Sequence, residues 1–141
     1  MTVPITLFAL LTWTTRDRAP LIDAAGAAFL RAFLPKAAEL SRAKVVAVGV
    51  VQNHVHLLLH LDALVDIPRL VQRLKGESAR IANRDRVLEN ARLRWAKGYD
   101  LRSVSPRAVP AAQAYLARQA VRHPGLAIPP GNGDQAGVAA N

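Results

Sequence analysis

The order of apolar patterns along this chain predicts an α+β domain, an antiparallel or mixed sheet with its helices mainly on one face, on a split βαβ or ferredoxin-like plan. Three observations carry that prediction. Strand-like and helix-like stretches follow one another as β-α-β-β-α-β-α. Two of the strands, 45–50 and 54–61, are separated by so few residues that they read as a hairpin. The other strands are joined through helical stretches, giving two crossings and a split βαβ plan. A sheet covered by helices on one face leaves its other face to a ligand or partner.

The first strand is ITLFALLTWT, residues 5–14, where Thr and aromatic side chains favour extended backbone. TRDRAP then reads as a turn, with Pro20 as a stop or helix-start signal. Between Leu21 and Leu40 the positions Leu21, Ile22, Ala25, Phe29, Phe33 and Leu40 recur at spacings that mark an amphipathic helix. Pro35 is expected to kink or divide it. VVAVGV and HVHLLLHL form the hairpin, with its turn near Gln52 and Asn53. Alternation along the second of these strands puts Val55, Leu57, Leu59 and Leu61 on a core face. His54, His56, Leu58 and His60 fall on the opposite face.

Asp66 is the N-cap of a second helix, with Pro68 in its first turn. Ile67, Leu70, Val71, Leu74 and Ile81 form its apolar stripe, and Arg69, Arg73, Lys75, Arg80 and Arg84 lie off it. Gly76 weakens this helix without ending it. A short strand pattern surrounds Tyr99, Leu101 and Ser103. Ser105-Pro106 opens a last helix that includes Val109, Tyr115, Leu116, Gln119 and Ala120; Pro110 shifts its regular part later and Pro124 ends it. One folded domain over residues 1–124 is therefore expected, followed at 125–141 by a Gly/Pro-rich tail that is mobile or lies loosely on the surface.

Composition bounds the function. With 141 residues and 51% hydrophobic side chains, the chain can bury a core and is not intrinsically disordered. Its 19 Lys and Arg against 10 Asp and Glu give a net charge of +9, which favours a polyanionic partner. No cysteine is present, which excludes disulfides, a cysteine nucleophile and thiolate metal sites, and makes the cytoplasm the expected compartment. The apolar run from Val3 to Trp13 is too short to span a bilayer and lacks signal-peptide flanks, so no membrane association is expected.

The histidine strand carries the chemistry. His-x-His pairs are common by chance, but this one lies on a strand whose orientation is fixed by a strongly apolar face. Two histidines at i and i+2 project side by side, as needed to hold one metal ion through two imidazoles. On the last helix Tyr115 and Gln119 stand at i and i+4 and share a face. A tyrosine in an Ala-rich helix is by itself more often a half-buried core residue. Beside a histidine pair, the two supply a nucleophile and an oxygen ligand. Two imidazoles and an amide oxygen leave coordination positions open and suit Mg²⁺ or Mn²⁺.

At these residues the sequence resembles a family. VVQNHVHLLL, RLVQRLKGESAR, RWAKGYDLRSVS and AYLARQ, in this order, resemble the single-tyrosine HUH transposases, small insertion-sequence enzymes with relatives tied to repetitive extragenic palindromes. The likeness spans roughly residues 5–124, nearly all of the expected domain. His54-Val55-His56 matches the HUH motif, Tyr115 the tyrosine nucleophile and Gln119 the third metal ligand. Where Gln52 stands, the family often has proline, a difference that bears on turn stiffness. The resemblance implies an RRM-like sheet and a homodimer that cleaves and rejoins single-stranded DNA bearing hairpin ends through a 5′-phosphotyrosine, using Mg²⁺ or Mn²⁺. No nucleotide cofactor is implied, in accord with the lack of a P-loop or GxGxxG match.

Arg73, Lys75, Arg80, Arg94 and Lys97 are the expected DNA contacts, which as a group would neutralise phosphates. Trp13, Trp95 and Phe8 are expected in the core rather than as base-stacking platforms. His60 shares the face of the pair and could be an outer ligand, but is expected as a DNA-facing or rim residue; His123 could lie near the metal, and the resemblance puts Tyr99 on a structural strand. Two other readings stand beside this one. A domesticated relative would bind DNA without cutting it. A histidine-triad hydrolase would need a histidine where Leu58 stands.

Overall fold

Period-two alternation builds four strands: β1 (Leu7–Thr14), β2 (Ala43–Val51), β3 (His54–Leu61) and β4 (Asp100–Val104). The helical stretches become α1 (Ala24–Glu39), α2 (Ile67–Arg84) and α3 (Val109–Ala117). The structure, a computed structural model, describes residues 7–118 and 127–128. The sheet order is β2-β3-β1-β4 and every neighbouring pair is antiparallel, which is the ferredoxin-like plan.

The β2–β3 hairpin closes at the pair Val51 and His54, leaving Gln52 and Asn53 as its turn. Neither takes a positive φ, so this is not one of the primed turns that match strand twist unaided. Outside contacts hold it instead. The backbone N–H of Thr15 donates to the Asn53 carbonyl at 2.8 Å, and that of Ile22 to the Gln52 carbonyl at 3.0 Å. The chain after β1 thus wraps the turn that precedes the histidines.

One face of the sheet presents Ala9, Leu11, Trp13, Val55, Leu57 and Leu59, all buried. Against them lie Leu30, Leu34 and Ala38 of α1 and Leu70, Val71 and Leu74 of α2. Burying a leucine fully is worth about 1.5–3 kcal/mol, so this cluster is the main source of stability. Leu21 and Ile22 enter the core ahead of α1, which starts only after its N-cap, Asp23. The Asp23 carboxylate accepts the Gly26 N–H at 2.8 Å and, across the fold, the Glu89 N–H at 3.0 Å. Pro35 does not divide the helix, which continues through it to Glu39. The loss of one N–H donor is tolerated because Leu34, Ala37 and Ala38 anchor that turn in the core. Asp66 caps α2 as expected, accepting from the Arg69 N–H.

The last helix is reached through a 3-10 turn at Pro106–Ala108, and Pro110 sits in the first turn of α3. Residues Gln119 and His123, and any helix beyond Arg118, lie outside the described residues. α3 packs over β2 and β3 on the face away from the main core, so the histidine side of the sheet is partly covered. Val51, Leu58 and Leu116 are buried yet stand outside the main core cluster. Of the tail expected to be mobile or to lie loosely on the surface, residues 127 and 128 are described. Gln52 Nε2 donates to the Ala127 carbonyl at 3.0 Å, and Ile128 packs against the core.

Candidate active site

The register of β3 between β1 and β2 builds the site. His54 pairs with Thr14 and Val51, and His56 with Thr12 and Gly49, so both imidazoles leave the sheet on the face opposite Val55 and Leu57. Their ring centroids are 4.9 Å apart at an interplanar angle of 86°. Both rings are half-buried.

Each ring is held through its Nδ1. Thr12 Oγ1 lies 2.6 Å from His56 Nδ1, and Asn53 Oδ1 lies 2.7 Å from His54 Nδ1. The Asn53 amide is oriented by its other end, since Nδ2 donates to the Arg18 carbonyl at 3.3 Å. Its oxygen must then accept from His54, which puts the proton on Nδ1 and the lone pair on Nε2. This is how metal-binding histidines are commonly set: one nitrogen anchored by an outer partner, the other toward the ion. Two such imidazoles suit a divalent cation of Mn²⁺ character. Among the described residues no group of three or more His, Cys, Asp or Glu gathers around one point. Gln119 and His123, the positions expected at or near the metal from the last helix, lie outside the described residues.

α3 brings Tyr115 to this pair. Its ring centroid is 6.0 Å from that of His56, at 73°, and the side chain is half-buried. The helix is seated by Leu116, which is only 2% exposed. Tyr115, His56 and His54 thus share one side of the sheet within a single protomer. A phenol ring against one of two anchored imidazoles is an arrangement that can serve nucleophilic attack assisted by a cation.

Comparison with known proteins gives the family. The profile described as "Transposase IS200 like" matches residues 6–119, most of the chain. The chain belongs to the IS200-like transposase family. A solved structure from Deinococcus radiodurans R1, provisionally described as a transposase, is 26% identical, with a TM-score of 0.65 over 84% of this chain and 95% of that one. A REP-associated tyrosine transposase bound to a REP hairpin superposes with a TM-score of 0.64 over 87% of this chain and 72% of that one. Its identity is 16%, so that likeness is one of fold. No curated protein matches the chain.

In this transposase the five basic residues expected to contact DNA do not form one surface. Arg73 and Arg80 lie on the solvent side of α2, across the sheet from the histidines. There they line a cavity of about 740 Å³ with Arg42, Arg69 and Leu64. Arg73 is also 3.7 Å from Glu77. Lys75 ties the chain after α2 in place, donating to the carbonyls of Ala96 at 2.6 Å and Gly98 at 2.8 Å. Burial pushes its ammonium below the ordinary lysine value. Arg94 and Lys97 are exposed on that same connecting segment.

The remaining aromatic and histidine positions are also set by register. Trp13 is in the core and meets Trp95 edge-on at 5.7 Å, while Trp95 Nε1 donates to Ser78 Oγ. His60 lies against Phe8, ring centroids 4.9 Å apart, six residues or about 20 Å along β3 from His54. It is too distant to share an ion with the pair. Tyr99 precedes β4 and is 44% exposed. Sequence reasoning missed Thr12 and Asn53. Asn53 stands next to His54 in the turn and could have been noticed. Thr12 is identified only by the β1–β3 register.

Proposed function

We propose that this transposase cleaves and rejoins single-stranded DNA at the ends of its element through a 5′-phosphotyrosine on Tyr115, with His54, His56 and Gln119 as ligands of Mg²⁺ or Mn²⁺. The observation that supports this reading is the ring of Tyr115 lying 6.0 Å from that of His56 on the histidine face of the sheet. Tyr115 Oη bonds to phosphorus, the bond from phosphorus to the 3′ oxygen breaks, and that oxygen takes up a proton as the phenol gives one up. A later 3′-OH attacks the phosphotyrosine, restores a phosphodiester and returns the phenol. Covalent capture conserves the bond energy, so no nucleotide cofactor is required.

Phenols ionise near pH 10, so attack at neutral pH needs help at the phosphate. A bound cation would supply it by polarising the non-bridging oxygens. The chain's own part is to hold the nucleophile and the ligands. Leu116 seats the tyrosine helix, while Asn53 and Thr12 fix the two rings. A DNA hairpin is the proposed recognition element, supported by the REP hairpin bound in the related fold. A homodimer in the cytoplasm is the proposed state; no described helix is long and apolar enough to cross a membrane.

The test incubates the protein and Mn²⁺ with single-stranded DNA from the ends of its own element, followed by a denaturing gel. A covalent adduct that vanishes in Tyr115→Phe is expected. An adduct that survives in Tyr115→Phe overturns the nucleophile. No adduct with a verified end turns the reading toward a relative that binds without cutting. Light scattering on the eluted protein reads the dimer.

A further inference from the structure

We infer that Arg16, Arg92 and Arg94 form a phosphate-binding cradle for the single-stranded DNA flanking the cleaved bond. The inference rests on the reading of Tyr115 and the histidine pair as a DNA-cleaving site. Three observations converge on it. First, these arginines, with Asp17, Ala19 and Leu21, line a cavity of about 470 Å³. Second, the chemistry is close by in the fold. Arg16 follows Thr14, the β1 partner of His54, and its loop is tied to Asn53, the residue that anchors the His54 ring.

Third, the three guanidinium groups are uncompensated. Among the described residues none of them has a hydrogen-bond or ion-pair partner, and Asp17 is the one carboxylate in the cavity wall. The groove on the far side of the sheet differs. There Arg42, Arg69 and Arg73 stand within 4 Å of Asp62, Asp66 and Glu77 in turn, at 3.8, 3.8 and 3.7 Å. Like charges gathered without counter-charges repel one another, and a polyanion relieves that repulsion.

The local backbone holds this arrangement firmly. Asp17 and Arg18 adopt left-handed φ values of 57° and 54°, which non-glycine residues take at a cost. They are kept there because Arg16 N–H donates to the Arg94 carbonyl at 2.9 Å and Thr15 N–H to the Asn53 carbonyl at 2.8 Å. On the facing segment Leu93 and Trp95 pack into the core, so alternation turns Arg92 and Arg94 outward. The cradle is thus built on anchored backbone at the end of the sheet where the histidine turn sits.

The experiment measures fluorescence anisotropy of a labelled mixed-sequence 20-nucleotide single-stranded DNA with the full chain across a salt series. Each phosphate contact to a single strand contributes about −0.7 to the slope of log K against log salt. Arg16→Gln/Arg92→Gln/Arg94→Gln is expected to flatten that slope by about 2 and weaken binding at least about tenfold. Replacing the same three by Lys, which keeps the charges and checks that the surface tolerates substitution, is expected to retain the slope. Arg69→Gln/Arg73→Gln/Arg80→Gln in the far groove is expected to bind as wild type.

An unchanged slope in the first triple variant, a larger loss in the far-groove variant, no binding by wild type, or a greater effect on duplex than on single-stranded DNA would each overturn the cradle. The readout is separate from cleavage. No adduct from the wild-type protein, together with a flattened slope in the first triple variant, would fail the proposed function alone. Normal cleavage with an unchanged slope would fail the cradle alone.

Discussion

Thr12 Oγ1 sits 2.6 Å from Nδ1 of His56, its direct partner across the β1–β3 pairing. A strand with no motif of its own therefore orients one of the two imidazoles on which the proposed chemistry depends. Thr12→Val keeps the shape and β propensity of the side chain but removes the hydroxyl. Outer partners of metal-bound histidines are typically worth about 10–100-fold in metal affinity. Mn²⁺ titration by calorimetry should show a loss in that range for Thr12→Val and near-normal affinity for Thr12→Ser, with circular dichroism unchanged in both.

Asp23 uses two oxygens for two tasks, capping α1 at the Gly26 N–H and holding the Glu89 N–H. Asp23→Ala should lower the free energy of unfolding by about 1–2 kcal/mol, the N-cap accounting for about half or more. Asp23→Asn keeps one acceptor and should lose less. Urea denaturation that ranked Asn below Ala would contradict the double role.

Two helical glycines should respond oppositely to alanine. At Gly26 a Cβ would run into Leu88 Cδ2 and stand 3.2 Å from Asp23 Oδ1, and Leu88 is buried, 5% exposed. Overpacking there costs about 1–3 kcal/mol, only part of which the helix-propensity gain of about 0.8–1.0 kcal/mol offsets, so Gly26→Ala should be destabilised by up to about 2 kcal/mol. At Gly76 nothing lies within 4 Å of a Cβ, so helix propensity alone should stabilise Gly76→Ala by about 0.8–1.0 kcal/mol. Thermal unfolding of the two variants checks the signs.

Lys75 straps the segment after α2 through the carbonyls of Ala96 and Gly98. Lys75→Met should remove charged hydrogen bonds to two carbonyls and cost about 1–3 kcal/mol, leaving the salt slope for DNA unchanged. A pH signature accompanies it. The folded-state pKa is lowered by burial from 10.5, so as pH rises the folded protein releases this proton before the unfolded chain does. In the window between the two values the unfolded state binds more protons, and stability rises with pH. Urea midpoints measured through that alkaline window should show a rise in wild type that is missing in Lys75→Met.

Much of the site was legible because β3 is short and strongly patterned. Burial of Val55, Leu57, Leu59 and Leu61 forces His54 and His56 onto the other face, and the turn at Gln52 and Asn53 follows from strand lengths. Leu58 shows where that reading ran out. It lies on the histidine face yet is fully buried, because α3 crosses that side of the sheet. Pro35 likewise reads locally as a break, and contacts from a distant sheet keep the helix whole.

The sequence by itself determined the element order, the ferredoxin-like class, the histidine pair and the candidate tyrosine. These depend on local periods of two and of 3.6 residues and on side-chain identity, all properties of short stretches. Only the tertiary structure decided that Tyr115 meets His56, that Thr12 and Asn53 anchor the rings, and that Arg73 and Arg80 lie across the sheet from them. Each of these is set by strand register and by the face on which a helix docks. Those are choices between segments far apart in the chain, made by burial of the whole core.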